Sequence, residues 1–187
     1  MIFISKHNSH NMTSDEQYYN SIAKGYDLLY GREQKRKFAI ISANINPKDS
    51  DKLLDIGCGT GIGIDYVSCK YFGIEPSEKM LEIAKEKAKK KQVDAKLILG
   101  TGEEISEKFT GKKFDFIICV SSAHHINDFE TFLDSLHSIS EESTQYLFSL
   151  LKRSKTTKNI LELINKKFDI KKQIEDEKDL IVFFQQT

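Results

Sequence analysis

The chain has 187 residues, 39% of them hydrophobic, with twelve phenylalanines and with 28 basic side chains set against 28 acidic ones. That length suits a single domain with its own core, the apolar content excludes wholesale disorder, and the cancelled charge removes any global field toward nucleic acid or an anionic membrane. Three scattered cysteines, Cys58, Cys69 and Cys119, form no C-x-x-C pair, which excludes a disulfide framework and a zinc site as readings and fits a reducing cytoplasm.

Residues 1–12 show no periodicity, so a flexible tail is expected over 1–13 and a single domain over 14–187, divided into a helical cap at 14–45 and a core at 51–187. The Ile-Phe-Ile run at 2–4 is too short for the core of a signal peptide. Ser14, three positions ahead of Gln17, offers a capping box for a helix carrying Tyr18, Tyr19, Ile22 and Ala23, and a second helix is expected from Arg32 to Ala43, stopped near Pro47.

From Lys52 onward short apolar runs alternate with helical stretches. Residues 52–56, 71–75, 95–99, 114–120 and 145–151 read as strands, and 77–91 reads as an amphipathic helix with Met80, Leu81, Ala84 and Ala88 on one side. The run at 114–120 is too short to cross a bilayer, so no membrane partner is expected. Asn127 followed by Glu130 suggests a capping box for a helix over 129–140, and a further helix covers 155–167. Residues 170–175 and 180–185, joined by the acidic turn from Asp176 to Asp179, read as a hairpin. This alternation predicts an α/β fold, a three-layer αβα sandwich on a mainly parallel sheet closed by a C-terminal antiparallel hairpin. Eight basic residues between 152 and 172 face only Glu162 and Asp169 in their own stretch, and they read as a solvated face.

The stretch L-L-D-I-G-C-G-T-G-I-G at 53–63 carries the chemistry. In an open parallel sheet, ligands bind outside the carboxyl ends of the strands, where the loop after the first strand lies. Glycines there permit positive φ and keep Cβ atoms away from a ligand. A dinucleotide loop wants G-x-G-x-x-G; counting from Gly57 ends on Ile62, and counting from Gly59 ends on Ile64, so the spacing fails. What stands is D-x-G-x-G-x-G, from Asp55 through Gly57 and Gly59 to Gly61. An acid just ahead of the loop suits a ligand with an ammonium group and repels a pyrophosphate. S-adenosylmethionine has that ammonium, a sulfonium and no phosphate. Gly63 is read as a packing position.

On these residues the sequence resembles the class I S-adenosylmethionine-dependent methyltransferases. L-L-D-I-G-C-G-T-G is similar to their first motif, and Glu75, eighteen positions after Gly57, stands where the family holds both ribose hydroxyls. G-T-G-E at 100–103 is similar to the turn that meets the adenine edge, with Thr101 in place of the commoner Asp, and F-D-F-I-I-C-V-S-S-A-H-H is similar to the fourth motif, which lines the methyl-transfer cleft. Y-Y-N-S-I-A-K-G-Y-D at 18–27 resembles the segment in which a Tyr, here Tyr26, closes over the cofactor. The glycine-to-acid interval is about one helical turn shorter than usual, which implies a stubby first crossover helix near Ile62.

The resemblance implies a Rossmann-like core and a cofactor site made of Tyr26, Asp55, Gly57, Cys58, Gly59, Gly61, Glu75, Pro76, Thr101, Gly102, Glu103 and Val120. It also implies that no covalent catalytic residue is required, since the donor is already activated. S-S-A-H-H after the fourth strand, where amide and adenine N-methyltransferases carry (Asn/Asp)-Pro-Pro-(Tyr/Phe), points to other acceptors. An imidazole titrating near neutrality suits a general base, so His124 and His125 are the catalytic candidates; a metal bound there with Asp128 has no further ligand nearby and is not expected. With no inserted substrate domain, a small-molecule acceptor is favoured, and RNA or a protein is the alternative, as is a catalytically silent cofactor-binding subunit that supports a partner. A dinucleotide-dependent oxidoreductase is disfavoured by Asp55 and the glycine spacing. The oligomeric state is not encoded in any motif.

Overall fold

A computed structural model describes residues 13–187. The expected tail therefore lies outside the described residues except for Thr13, which is ordered and does the capping assigned above to Ser14. The Thr13 hydroxyl accepts from Glu16 N–H, and the Glu16 carboxylate accepts from Thr13 N–H at 2.6 Å, a reciprocal pair that starts α1 (Ser14–Ile22). The stronger carboxylate partner, one position earlier than Gln17, decides the register. A short turn leads to α2 (Tyr26–Leu29) and α3 (Gly31–Ser42).

The core begins with β1 (Lys52–Ile56), a single 3₁₀ turn at Ile62–Asp65, and β2 (Lys70–Glu75), so the expected first crossover helix is reduced to that turn. Then follow α4 (Glu78–Lys91), β3 (Ala95–Leu99), α5 (Ile105–Lys108), β4 (Phe114–Val120) and α6 (Phe129–Leu136). β5 (Ser140–Leu151), α7 (Thr157–Lys167), β6 (Phe168–Glu175) and β7 (Asp179–Gln186) complete the chain.

Two boundaries differ from expectation for local polar reasons. Asp128, not Asn127, caps α6 by accepting from Thr131 N–H at 3.0 Å, and the helix stops at Leu136 because the Ser140 hydroxyl donates to the Leu136 carbonyl at 2.7 Å. β5 starts at Ser140 rather than 145, because the polar stretch Glu141 to Thr144 is held as a bulge. There Thr144 Oγ1 donates to Phe114 O at 2.6 Å, which no apolar pattern announces.

The sheet order is β3-β2-β1-β4-β5-β7-β6, parallel through β5, with β7 antiparallel to both β5 and β6. Strand alternation divides the core. Leu54, Ile56, Ile117 and Phe148 face α5, α6 and α7, while Leu53, Tyr71, Ile118 and Leu147 face α3 and α4. Strand order reverses between β1 and β4, which opens the crevice outside their carboxyl ends. The basic cluster finds its partners from other elements. Lys152 pairs with Glu175, Lys166 with Glu130 and Lys167 with Asp134, so the stretch is a laced surface and not a free cationic patch.

Candidate active site

The loop after β1 turns sharply because Gly57, Gly59 and Gly61 all adopt positive φ, at 75°, 54° and 74°. Two of these glycines also admit neighbours. A Cβ at Gly57 would stand 2.5 Å from the Ser122 Cβ, in the loop after β4, and one at Gly61 would stand 3.0 Å from the Ala84 Cβ on α4. At Gly59 the nearest atom would be Met80 Cε at 3.6 Å, so here backbone conformation alone demands glycine and the loop surface stays open. Gly63 is a packing position as expected, since its Cβ would stand 2.7 Å from the Phe38 ring and 2.9 Å from Asp55 Oδ2. The loop is tied down by Gly57 N–H and Cys58 N–H, both donating to the Ile74 carbonyl, and Cys58 lies buried against β2.

Two buried carboxylates stand at the foot of this loop. Asp55, 1% exposed, accepts a short hydrogen bond from the Tyr71 hydroxyl through Oδ2, while Oδ1 has no hydrogen-bond partner. Burial pushes its pKa up to about 7, against the Tyr71 bond, and the charge of Glu75 adds to the rise. Glu75, at the end of β2 and 5% exposed, accepts from Gly59 N–H and from Ser77 N–H, each at 2.9 Å, and burial raises it to about 7 as well. Pro76 stiffens the link between the acid and Ser77, whose hydroxyl caps α4 by accepting from Met80 N–H.

At the end of β3, Thr101 N–H donates to Glu104, Gly102 packs under Ile126, and Glu103 accepts from Asn127 N–H at 3.1 Å, joining this turn to the loop after β4. Val120 ends β4 in the core. The carboxyl ends of β1 to β4 thus gather Asp55, Gly57, Cys58, Gly59, Gly61, Glu75, Pro76, Thr101, Gly102, Glu103 and Val120 along one edge of the sheet.

Residues 54–146 match the family model described as "Methyltransferase domain". The chain carries a class I S-adenosylmethionine-dependent methyltransferase domain. Its sequence is 33% identical over 110 residues to a ubiquinone biosynthesis O-methyltransferase of Pelagibacter ubique, covering 57% of this chain and 44% of that one. The chain therefore spans less than half the length of that relative. Its fold is similar to a SAM-dependent methyltransferase from Aquifex aeolicus, with a TM-score of 0.74 at 15% identity over 94% of this chain and 100% of that one. It is also similar to magnesium protoporphyrin IX methyltransferase from Synechocystis PCC 6803, solved with bound SAM, with a TM-score of 0.73 at 16% identity over 96% of this chain and 100% of that one.

The methyltransferase domain places its two candidate histidines in different settings. His124 Nε2 accepts from Leu151 N–H at 2.8 Å, which leaves Nδ1 to donate to the Thr156 hydroxyl at 2.8 Å. Both nitrogens are committed to joining the loop after β4 to β5, and burial holds the ring below its ordinary pKa. His125, more exposed, is gripped from α1. Its Nδ1 lies 2.7 Å from Asp15 Oδ2 and its Nε2 lies 3.2 Å from the Tyr19 hydroxyl. Tyr26 belongs to a ring cluster with Tyr19 and Tyr30, at centroid distances of 6.3 and 5.1 Å. Burial raises the phenol pKa of both Tyr19 and Tyr26, with the charge of Glu75 contributing, and Tyr19 reaches about 12. Among the described residues no three metal-ligating side chains gather, and no helix is long and apolar enough to cross a membrane.

Sequence reasoning missed a buried ion cluster beside this cleft. Lys37 on α3, 1% exposed, sets its ammonium 2.8 Å from Glu33 Oε1, 2.7 Å from Ser121 Oγ and 2.7 Å from Asp179 Oδ2. Ser121 opens the loop after β4 in the left-handed region, φ 63°, and is held there by Lys37 and by Gln34 at 3.3 Å. Nothing in the run R-E-Q-K-R-K distinguishes Lys37 from Lys35 and Arg36, since Ser121 and Asp179, two of its three partners, lie more than eighty residues away. Asp15 and Tyr19 were legible only as helix formers.

Proposed function

We propose that the protein transfers the methyl group of S-adenosylmethionine to an oxygen of a small-molecule acceptor. The observation that carries the reading is the pair of buried carboxylates under an open, positive-φ glycine loop, one of them with an oxygen that no protein group satisfies. An unpaired buried acceptor is costly, and a ligand ammonium fits that position as a pyrophosphate would not. Glu75, aimed by two backbone N–H groups, suits a diol. Thr101, Gly102 and Glu103 would line the adenine end, Tyr26 would cover the cofactor, and Cys58, Pro76 and Val120 would form the walls. When bound, the cofactor supplies a methyl group already activated by its sulfonium charge, so the chain's part is to orient the acceptor, exclude water and take up a proton. Of the two histidines, His125 is the better placed for the proton, because its ring is the more exposed and is held only by the side chains of Asp15 and Tyr19, while His124 is tied to the Leu151 backbone N–H. The oxygen acceptor is supported by the O-methyltransferase named among the relatives.

Calorimetric titration with S-adenosylhomocysteine, with NAD as control, tests the reading. Binding of the first alone is expected, after which labelled donor identifies the acceptor among phenols and other hydroxylated metabolites. Preferential binding of NAD would restore an oxidoreductase, and binding without transfer to any acceptor class would favour a silent subunit.

A further inference from the structure

α1 lies across the mouth of the site and is pinned on both sides. On one side the Asn20 carbonyl oxygen accepts from the Ser77 hydroxyl at 2.9 Å and from Lys79 N–H at 3.1 Å, two and four residues beyond Glu75. On the other side, Asp15 and Tyr19 hold the two ring nitrogens of His125, in the loop after β4. Asp15 and Tyr19 are four positions apart, so they present to His125 from one face of the helix. A carboxylate only accepts, so Nδ1 carries a proton toward Asp15, and Nε2 pairs with the Tyr19 hydroxyl. The Tyr19 ring also packs edge-on against the imidazole, with centroids 5.6 Å apart at 84°.

The two attachments differ in kind. The Asn20 side engages a backbone N–H and the fully buried Ser77 that caps α4. The His125 side is made only of side chains, with Asp15 57% and His125 41% exposed, and water competes for each of its bonds. Between the two attachments lies the edge that carries Glu75 and the glycine loop, so a ligand seated there is covered by α1. Release requires one side to part.

We infer that Asp15 and Tyr19 are positioning residues that clasp α1 over the cofactor through His125, and that cofactor exchange proceeds by opening this clasp while the Asn20 side holds. The inference rests on the cofactor reading above. It also accounts for an exposed acid that the proposed chemistry leaves without a role.

The test measures release of S-adenosylhomocysteine from the full chain by stopped-flow displacement. Asp15→Asn combined with Tyr19→Phe is expected to release it about tenfold faster or more, the scale of losing a hydrogen bond to a charged partner, with the circular dichroism spectrum unchanged. A second variant, Asp15→Cys with His125→Cys, is expected to release quickly when open and to retain ligand once joined by a short bis-maleimide; Cys58, Cys69 and Cys119 are buried and spared. Release from the cross-linked protein at the uncrosslinked rate, or wild-type release from the double substitution, overturns the clasp while leaving the cofactor reading intact. Wild-type protein that binds no S-adenosylhomocysteine overturns both.

Discussion

A carboxylate that accepts two backbone N–H groups is aimed before any ligand arrives. Glu75 is such a group, and its bonds to Gly59 and Ser77 hold both oxygens at the crevice while burial makes ionisation costly. Glu75→Ala should therefore weaken S-adenosylhomocysteine binding by about 1–3 kcal/mol, measured by titration of the folded variant, with Glu75→Gln losing less because one carbonyl oxygen remains. Unchanged affinity in the alanine variant would remove Glu75 from the site. At this scale the sequence was legible wherever one residue's chemistry is local. The glycine spacing, Asp55 and Glu75 were visible because strand, turn and acid follow one another within twenty-three positions. Asp15 was not visible as a partner of His125, since 110 positions separate them and nothing local marks either.

Elements were legible in proportion to their apolar periodicity. β1 to β4, α4 and the closing hairpin stood out, whereas the first residues of β5 are Ser140, Glu141, Glu142 and Ser143, polar residues held by a bulge that only the tertiary structure explains. α3 shows a stronger limit. The sequence marked it only as a helix; Phe38 and Ile41 lie in the core, and Lys37 beside them is equally buried. Its ammonium joins the helix to Ser121 after β4 and to Asp179 on β7, which itself accepts from the Ser149 hydroxyl at 3.1 Å. Removing one member of a buried ion pair strands the other. Lys37→Met should thus cost about 3–5 kcal/mol in urea unfolding, while adding Asp179→Leu to it should recover a large part of the loss. A loss below about 1 kcal/mol would mean that water reaches the cluster and that it does not fix α3 against the sheet.

The whole molecule joins these charges to ligand binding through pH. Asp55 and Glu75, each raised to about 7, hold protons in the folded state that the unfolded chain has already released above the ordinary carboxylate range. Their contribution therefore falls as pH rises from about 4 to about 7 and is constant above that window. Asp176 runs the other way. Arg36, bonded at 2.7 and 2.9 Å, holds it below the usual range, so its contribution is lost as pH falls. Total stability mixes the two signs, but the increment added by ligand isolates the site. A ligand ammonium beside the unpartnered Asp55 oxygen favours the ionised carboxylate, so binding should release protons between about pH 6 and 7. Thermal unfolding with and without S-adenosylhomocysteine should then show a larger ligand-induced shift at pH 8 than at pH 5.5, and calorimetry in buffers of different ionisation enthalpy should register the released protons. A shift that is equal at both values would separate the ligand from both carboxylates. The opposite order would mean that the ligand binds against the protonated acids, and the ammonium would have to be placed elsewhere on the loop.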